Sequence, residues 1–161
     1  MKILLAIPHV FAPKEDSLYS SQTESKRKLK QEALLRTTIG NLNYQRKRHW
    51  IHASLGKNRE VVNRELSTDL GAEISIQLFS PPRDNLTESL PNDKDLHIID
   101  PAVKDYAEIP SVASRKLLEQ ADDYDLVGYL EDDILISDPE FFAKIIYLEQ
   151  ISGPLGKQIY N

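Results

Sequence analysis

The chain opens on an unbroken apolar run, Ile3-Leu4-Leu5-Ala6-Ile7, closed by Pro8. Such a run predicts a strand buried on both faces, as in a parallel sheet. Residues 9–20 read as a loop. Ser21-Gln22-Thr23-Glu24 has the form of a capping box opening a long helix. Leu35, Ile39 and Leu42 fall at i, i+4 and i+7 on that helix, and Gly40 and Asn41 mark its expected end. His49 to Leu55 reads as a second strand. Gly56-Lys57-Asn58 then opens a second predicted helix, with Val62, Leu66 and Leu70 every four residues and Gly71 as its C-terminal cap. Ile74-Ser75-Ile76-Gln77-Leu78-Phe79 alternates and predicts a third strand.

The pattern breaks over residues 81–110, which hold five of the nine prolines. Here the reading is a long Pro-rich loop with at most a short element at Leu96–Ile99. A helix over Ser111–Ala121 follows, with Ala113, Leu117 and Ala121 on one face. Asp125 to Leu130 is the fourth predicted strand. Asp138-Pro139 suits a helix start, with aspartate as N-cap and proline at the first helical position. Phe141, Phe142, Ile145, Ile146 and Leu148 supply its apolar face, and Gly153-Pro154 stops it.

Strands and helices therefore alternate, apart from one long loop. Alternation of this kind implies right-handed crossovers and an α/β, Rossmann-like, mostly parallel sheet with helices on both faces. The 161 residues suit one domain spanning 1–161. Ligands of such sheets sit at the carboxyl ends of strands, near the topological switch point. That directs attention to Pro8–His9, Ser80–Arg83 and above all Glu131–Asp133.

Composition narrows the chemistry. There is no cysteine, which removes a thiol nucleophile, a disulfide scaffold and Cys-based metal sites. No stretch approaches the ~20 apolar residues of a membrane span, and Met1–Ile7 is too short for a secretory signal. The expectation is a soluble, cytoplasmic protein. Charge is uneven: residues 1–80 carry net +5 and residues 81–161 net −10. The basic runs, Lys26-Arg27-Lys28-x-Lys30 and Arg46-Lys47-Arg48, are short and poor in aromatic neighbours, so they read as solvated faces and not as a nucleic-acid arm.

Residues 125–139 read D-L-V-G-Y-L-E-D-D-I-L-I-S-D-P. Three adjacent carboxylates repel one another, so they need a compensating cation or full hydration. With extended backbone, Glu131 and Asp133 would point to one side and Asp132 to the other. Two carboxylates without histidine or cysteine nearby suit a hard divalent ion, Mg²⁺ or Mn²⁺. The competing reading is a solvated acidic turn, against which the return of the chain to apolar residues at Ile134-Leu135-Ile136 speaks.

The stretch Leu130 to Phe142, L-E-D-D-I-L-I-S-D-P-E-F-F, resembles nucleotide-sugar-dependent glycosyltransferases of the GT-A fold, whose DxD motif has E-D-D variants. It is especially similar to the E-D-D region of N-acetylglucosaminyltransferase I-like enzymes. Ala113-Ser114-Arg115-Lys116 is similar to the A-R-N segment of family 2-like glycosyltransferases, with Lys116 in place of asparagine. The resemblance implies a donor-binding half that takes a nucleotide-diphosphate sugar, a UDP-sugar first, with Mn²⁺ or Mg²⁺ and an unidentified acceptor. By that resemblance Asp133 coordinates the metal, and Glu131 and Asp132 hold the ribose or the metal's waters, Glu131 serving also as a metal ligand. Pro8 and His9 lie beside the base, and Arg115 faces the ribose–phosphate side. The plainer readings are a surface salt bridge to Glu119 for Arg115 and a loop histidine without a task for His9.

The sequence departs from the family in length. About 28 residues follow Asp133, where such enzymes continue into an acceptor half, and nothing matches their catalytic base. The chain reads as truncated, either a fragment or a small relative that has lost catalysis. An uncovered sheet would expose apolar surface and promote self-association. The alternative from another class is a noncatalytic α/β module that binds a nucleotide or metal. His49, His52 and His97 read as structural or surface residues.

Overall fold

The computed structural model describes residues 2–12, 24–45, 49–55, 61–67, 73–138 and 141–152. Four strands form an all-parallel sheet: β1 (Lys2–Pro8), β4 (Glu73–Phe79), β5 (Leu96–Ile99) and β6 (Leu126–Tyr129), in the order β5-β4-β1-β6. Two more strands, β2 (His49–Leu55) and β3 (Val61–Ser67), pair with each other in an antiparallel hairpin. The helices are α1 (Glu24–Gln45), α2 (Ile109–Glu119) and α3 (Phe141–Ser152). This is the α/β, Rossmann-like arrangement that the alternating pattern predicts.

The continuous apolar run of β1 serves two cores at once, because successive strand side chains face opposite ways. Ile3, Leu5 and Ile7 join Leu35, Ile39 and Leu42 of α1, Ile74, Ile76 and Leu78 of β4 and Phe142 of α3. Leu4 and Ala6 join Phe79 and the Ile109, Ala113 and Leu117 stripe of α2. The sheet is thus sandwiched between α1 with α3 on one face and α2 on the other. From β1 the chain proceeds to β4 and β5 on one side, then crosses to β6 on the other. Crossovers in opposite directions but of one hand need opposite faces, and α1 and α2 occupy opposite faces. The order reverses between β1 and β6, which makes their carboxyl ends the switch point of the sheet.

Four expectations need correction. Residues 61–67, expected in a helix, form β3. Val62 and Leu66 share a face at a spacing of four in a helix and in a strand alike, so the spacing did not discriminate. Strand β2 has its expected bounds but pairs with β3 and not within the parallel sheet. Its place among the four parallel strands is taken by β5, the short element expected at Leu96–Ile99, which pairs with β4 from Ile76↔Leu96 to Phe79↔Ile99. Helix α1 continues past Gly40 and Asn41 to Gln45. Gly40 is exposed with open space around it, so only its helix propensity, about 1 kcal/mol below alanine, opposes the helix there, and the Leu42 contacts outweigh that. On α3, Phe142 is buried and Ile145 packs against the core, whereas Phe141 and Leu148 are exposed. The expected caps at Ser21, Gly71 and Gly153-Pro154, most of the 9–20 loop and the Arg46-Lys47-Arg48 run lie outside the described residues.

Candidate functional site

Pro8 ends β1 and is buried. The His9 amide donates to the Phe79 carbonyl at 2.8 Å and the Leu130 amide to the Ala6 carbonyl at 3.0 Å, so strand pairing carries past both ends of the switch point. The acidic triplet follows immediately. Glu131 and Ile134 close a tight turn, the Ile134 amide donating to the Glu131 carbonyl at 3.2 Å. The backbone is therefore not extended through the triplet.

Asp132 turns inward. Its Oδ2 lies 2.5 Å from His9 Nδ1. The Leu86 amide donates to His9 Nε2 at 3.1 Å. An amide can only donate, so Nε2 carries the lone pair and Nδ1 the proton that it gives to Asp132. His9 is 2% exposed, and both ring nitrogens are satisfied. His9 is thus a buried strut joining β1, the acidic turn and the Pro-rich segment, a role that neither sequence reading of this residue anticipated.

Helix α1 holds the same turn from below. Buried Thr38 donates to the Asp132 carbonyl at 3.1 Å and lies 3.4 Å from the Ile134 carbonyl. Gln45, two turns further on the same helix face, donates through Nε2 to the Ile136 carbonyl at 3.1 Å. Sequence reasoning missed both. The available signal was a threonine inside the apolar Leu35–Ile39–Leu42 stripe, a buried position where a hydroxyl needs a partner.

Glu131 and Asp133 are exposed. Tyr129 donates its hydroxyl to Glu131 Oε1 at 2.8 Å. Desolvation, then this bond and the negative charges of Glu131 and Asp132, push the Tyr129 phenol up to about 12. No group of three or more His, Asp or Glu side chains that could hold a metal occurs among the described residues. Arg115 stands exposed on α2, six residues and about 9 Å along the helix from its start at the carboxyl edge. Glu119 pairs there with Lys116 at 2.7 Å. That bond, aided by the positive charge of Arg115, lowers the Glu119 carboxyl. Pro8, His9 and the triplet are thus brought together, and no contact joins Arg115 to them among the described residues. His97 is exposed on β5.

The Pro-rich segment is anchored beside His9. The Phe11 amide donates to the Asp84 carbonyl at 2.8 Å, and Tyr106 donates to Asp84 Oδ2 at 2.5 Å. Buried Ser80, at the end of β4, has no hydrogen-bond partner for its hydroxyl. On the outer side of the acidic turn, an apolar groove of about 520 Å³ opens beside β6, lined by Gly128, Tyr129, Ile134, Leu135, Phe141 and Ile145 among others. No helix among the described residues is long and apolar enough to cross a membrane. Comparisons with protein-family models, with curated proteins and with solved structures found no match to this chain.

Proposed function

We propose that the chain forms the donor-binding part of a glycosyltransferase that uses a nucleotide-diphosphate sugar, a UDP-sugar first, together with Mn²⁺ or Mg²⁺. One observation carries this reading: the acidic turn stands at the carboxyl end of β6, beside the carboxyl end of β1, where the strand order reverses. That is where open α/β sheets bind their ligands. The resemblance of Leu130–Phe142 to the E-D-D region of GT-A enzymes supplies the class of ligand.

The donor set supports an ion of one particular kind. Asp132 is engaged by His9, which leaves Glu131 and Asp133 facing outward. Two carboxylates do not make an all-protein cage. They suit a hard ion that keeps several waters and takes its remaining ligands from phosphate oxygens. Asp133 is the metal ligand in this reading, and Glu131 adds a second carboxylate. When bound, the ion stabilises the charge that grows on the departing diphosphate. Pro8 and His9 are buried beneath the base side, and His9 acts through Asp132. Arg115 contributes only long-range positive charge. The noncatalytic alternative shares this binding site and differs only in lacking turnover.

A panel of nucleoside diphosphates, each added with and without Mn²⁺ and followed by ligand-observed NMR, tests the reading. A uridine diphosphate signal that requires Mn²⁺ is expected. Silence across the whole panel, with the protein folded, would reject it. Sugar release from a UDP-sugar then separates the enzyme from the module.

A further inference from the structure

We propose that His9 is a positioning residue that couples the Pro-rich segment to the acidic turn through a single neutral imidazole. The inference rests on the function proposed above for its metal readout only. Three parts of the chain meet on this ring: the residue just past β1, which carries it; Asp132, which accepts from Nδ1; and Leu86, whose amide donates to Nε2. The Leu86 amide fixes the tautomer, and the tautomer decides what Nδ1 can do. A proton on Nδ1 holds the Asp132 carboxylate inward, whereas Glu131 and Asp133 are exposed. The segment around Leu86 and the carboxylates of the turn are therefore not independent. Removing the ring releases both, and removing the Asp132 carboxylate frees the ring that holds Leu86.

The ring's surroundings fit this role. At 2% exposure, water does not compete for either nitrogen. The Asp132 backbone is held separately by Thr38, so the turn keeps its place when the carboxylate is released. The effect of His9 is thus on the direction of one carboxylate, and only secondarily on the fold.

Two substitutions divide the strut. In His9→Asn, the side-chain amide can still donate to Asp132 but no longer reaches Leu86. In His9→Leu, both links are lost. Three readouts follow: the ¹⁵N tautomer pattern of His9, hydrogen exchange of the Leu86 amide, and Mn²⁺ affinity by calorimetry. The wild type should show the Nδ1–H tautomer. His9→Asn should speed Leu86 exchange about tenfold while Mn²⁺ affinity stays within about twofold; His9→Leu should also weaken Mn²⁺ about tenfold, the size of one lost charge-assisted bond. Asp132→Ala should speed Leu86 exchange several-fold, although it touches no atom of that segment. A folded His9→Leu with Leu86 exchange and Mn²⁺ affinity both at wild-type values would overturn the proposal, as would the Nε2–H tautomer in the wild type. Should the wild type bind no Mn²⁺, the proposed function fails alone. The coupling is then decided by Leu86 exchange in Asp132→Ala: acceleration supports it, and no change overturns it.

Discussion

Ala102 has a positive φ, 52°, although it is not glycine. Its amide donates to Asp100 Oδ1 at 2.8 Å, which holds the chain in this turn between β5 and α2. The left-handed region costs an L-residue roughly 1–2 kcal/mol, and glycine escapes that cost while losing somewhat more entropy on folding. Ala102→Gly should therefore stabilise the protein by about 0.5–1 kcal/mol, read from denaturant melts. Tyr129 gives a second test at this scale. Its folded phenol stands at about 12, above the ordinary value of about 10. The raised value favours the protonated form in the folded state. The associated stability is complete below pH about 10 and is lost as pH rises toward 12. In an alkaline titration, the phenolate signal that Tyr129→Phe removes should be the late one. Glu131→Gln should move it only part of the way back, because desolvation is the larger cause.

Helix α1 is as much a polar clamp as an apolar layer. Thr38→Val should cost about 1–2 kcal/mol, since the Asp132 carbonyl of the acidic turn loses its donor beneath a buried helix face. Thr38→Ser should recover most of it, and thermal melts of the two variants check this. On β6, a Cβ added to Gly128 would meet Leu5 Cδ2 at 3.0 Å. Leu5 is only 4% exposed, so its side chain has little room to move. Gly128→Ala should destabilise by about 1 kcal/mol or more, and Leu5→Val, which shortens the obstructing side chain, should make that substitution better tolerated. At this scale the sequence was legible where periodicity was unambiguous. The β1 run reads as a buried strand, and Pro110 in the first turn of α2 adds to the Ala113–Leu117 stripe a helix-start signal that spacing alone does not give. The 61–67 segment was not, because a spacing of four suits both periods. β5 was legible as a short element at Leu96–Ile99, but its place in the parallel sheet was not, because four residues are too few to display alternation.

For the whole molecule, the switch point was legible in outline. The carboxyl ends of β1 and β6 follow from the strand–helix order, and they contain Pro8, His9 and the triplet. What joins them was not legible, because His9 and Asp132 are 123 residues apart, and only the folded register makes them neighbours. The apolar groove beside β6 carries a further expectation. Ile134, Leu135 and Phe141 are 48%, 50% and 39% exposed around it, and contiguous exposed apolar surface promotes association. Light scattering should show concentration-dependent self-association of this chain, and Leu135→Glu should reduce it. A monomer at every concentration would count against that expectation. The acidic half bears on the same surface by limiting how closely two copies can bring their turns together.

The most direct measurement is calorimetric titration of uridine diphosphate into the wild type and Asp133→Asn, each with and without Mn²⁺. The account predicts binding that needs Mn²⁺ and is lost in Asp133→Asn, which keeps the size of the side chain and removes its charge. Binding that is equally strong without the ion, or undiminished in Asp133→Asn, would contradict it.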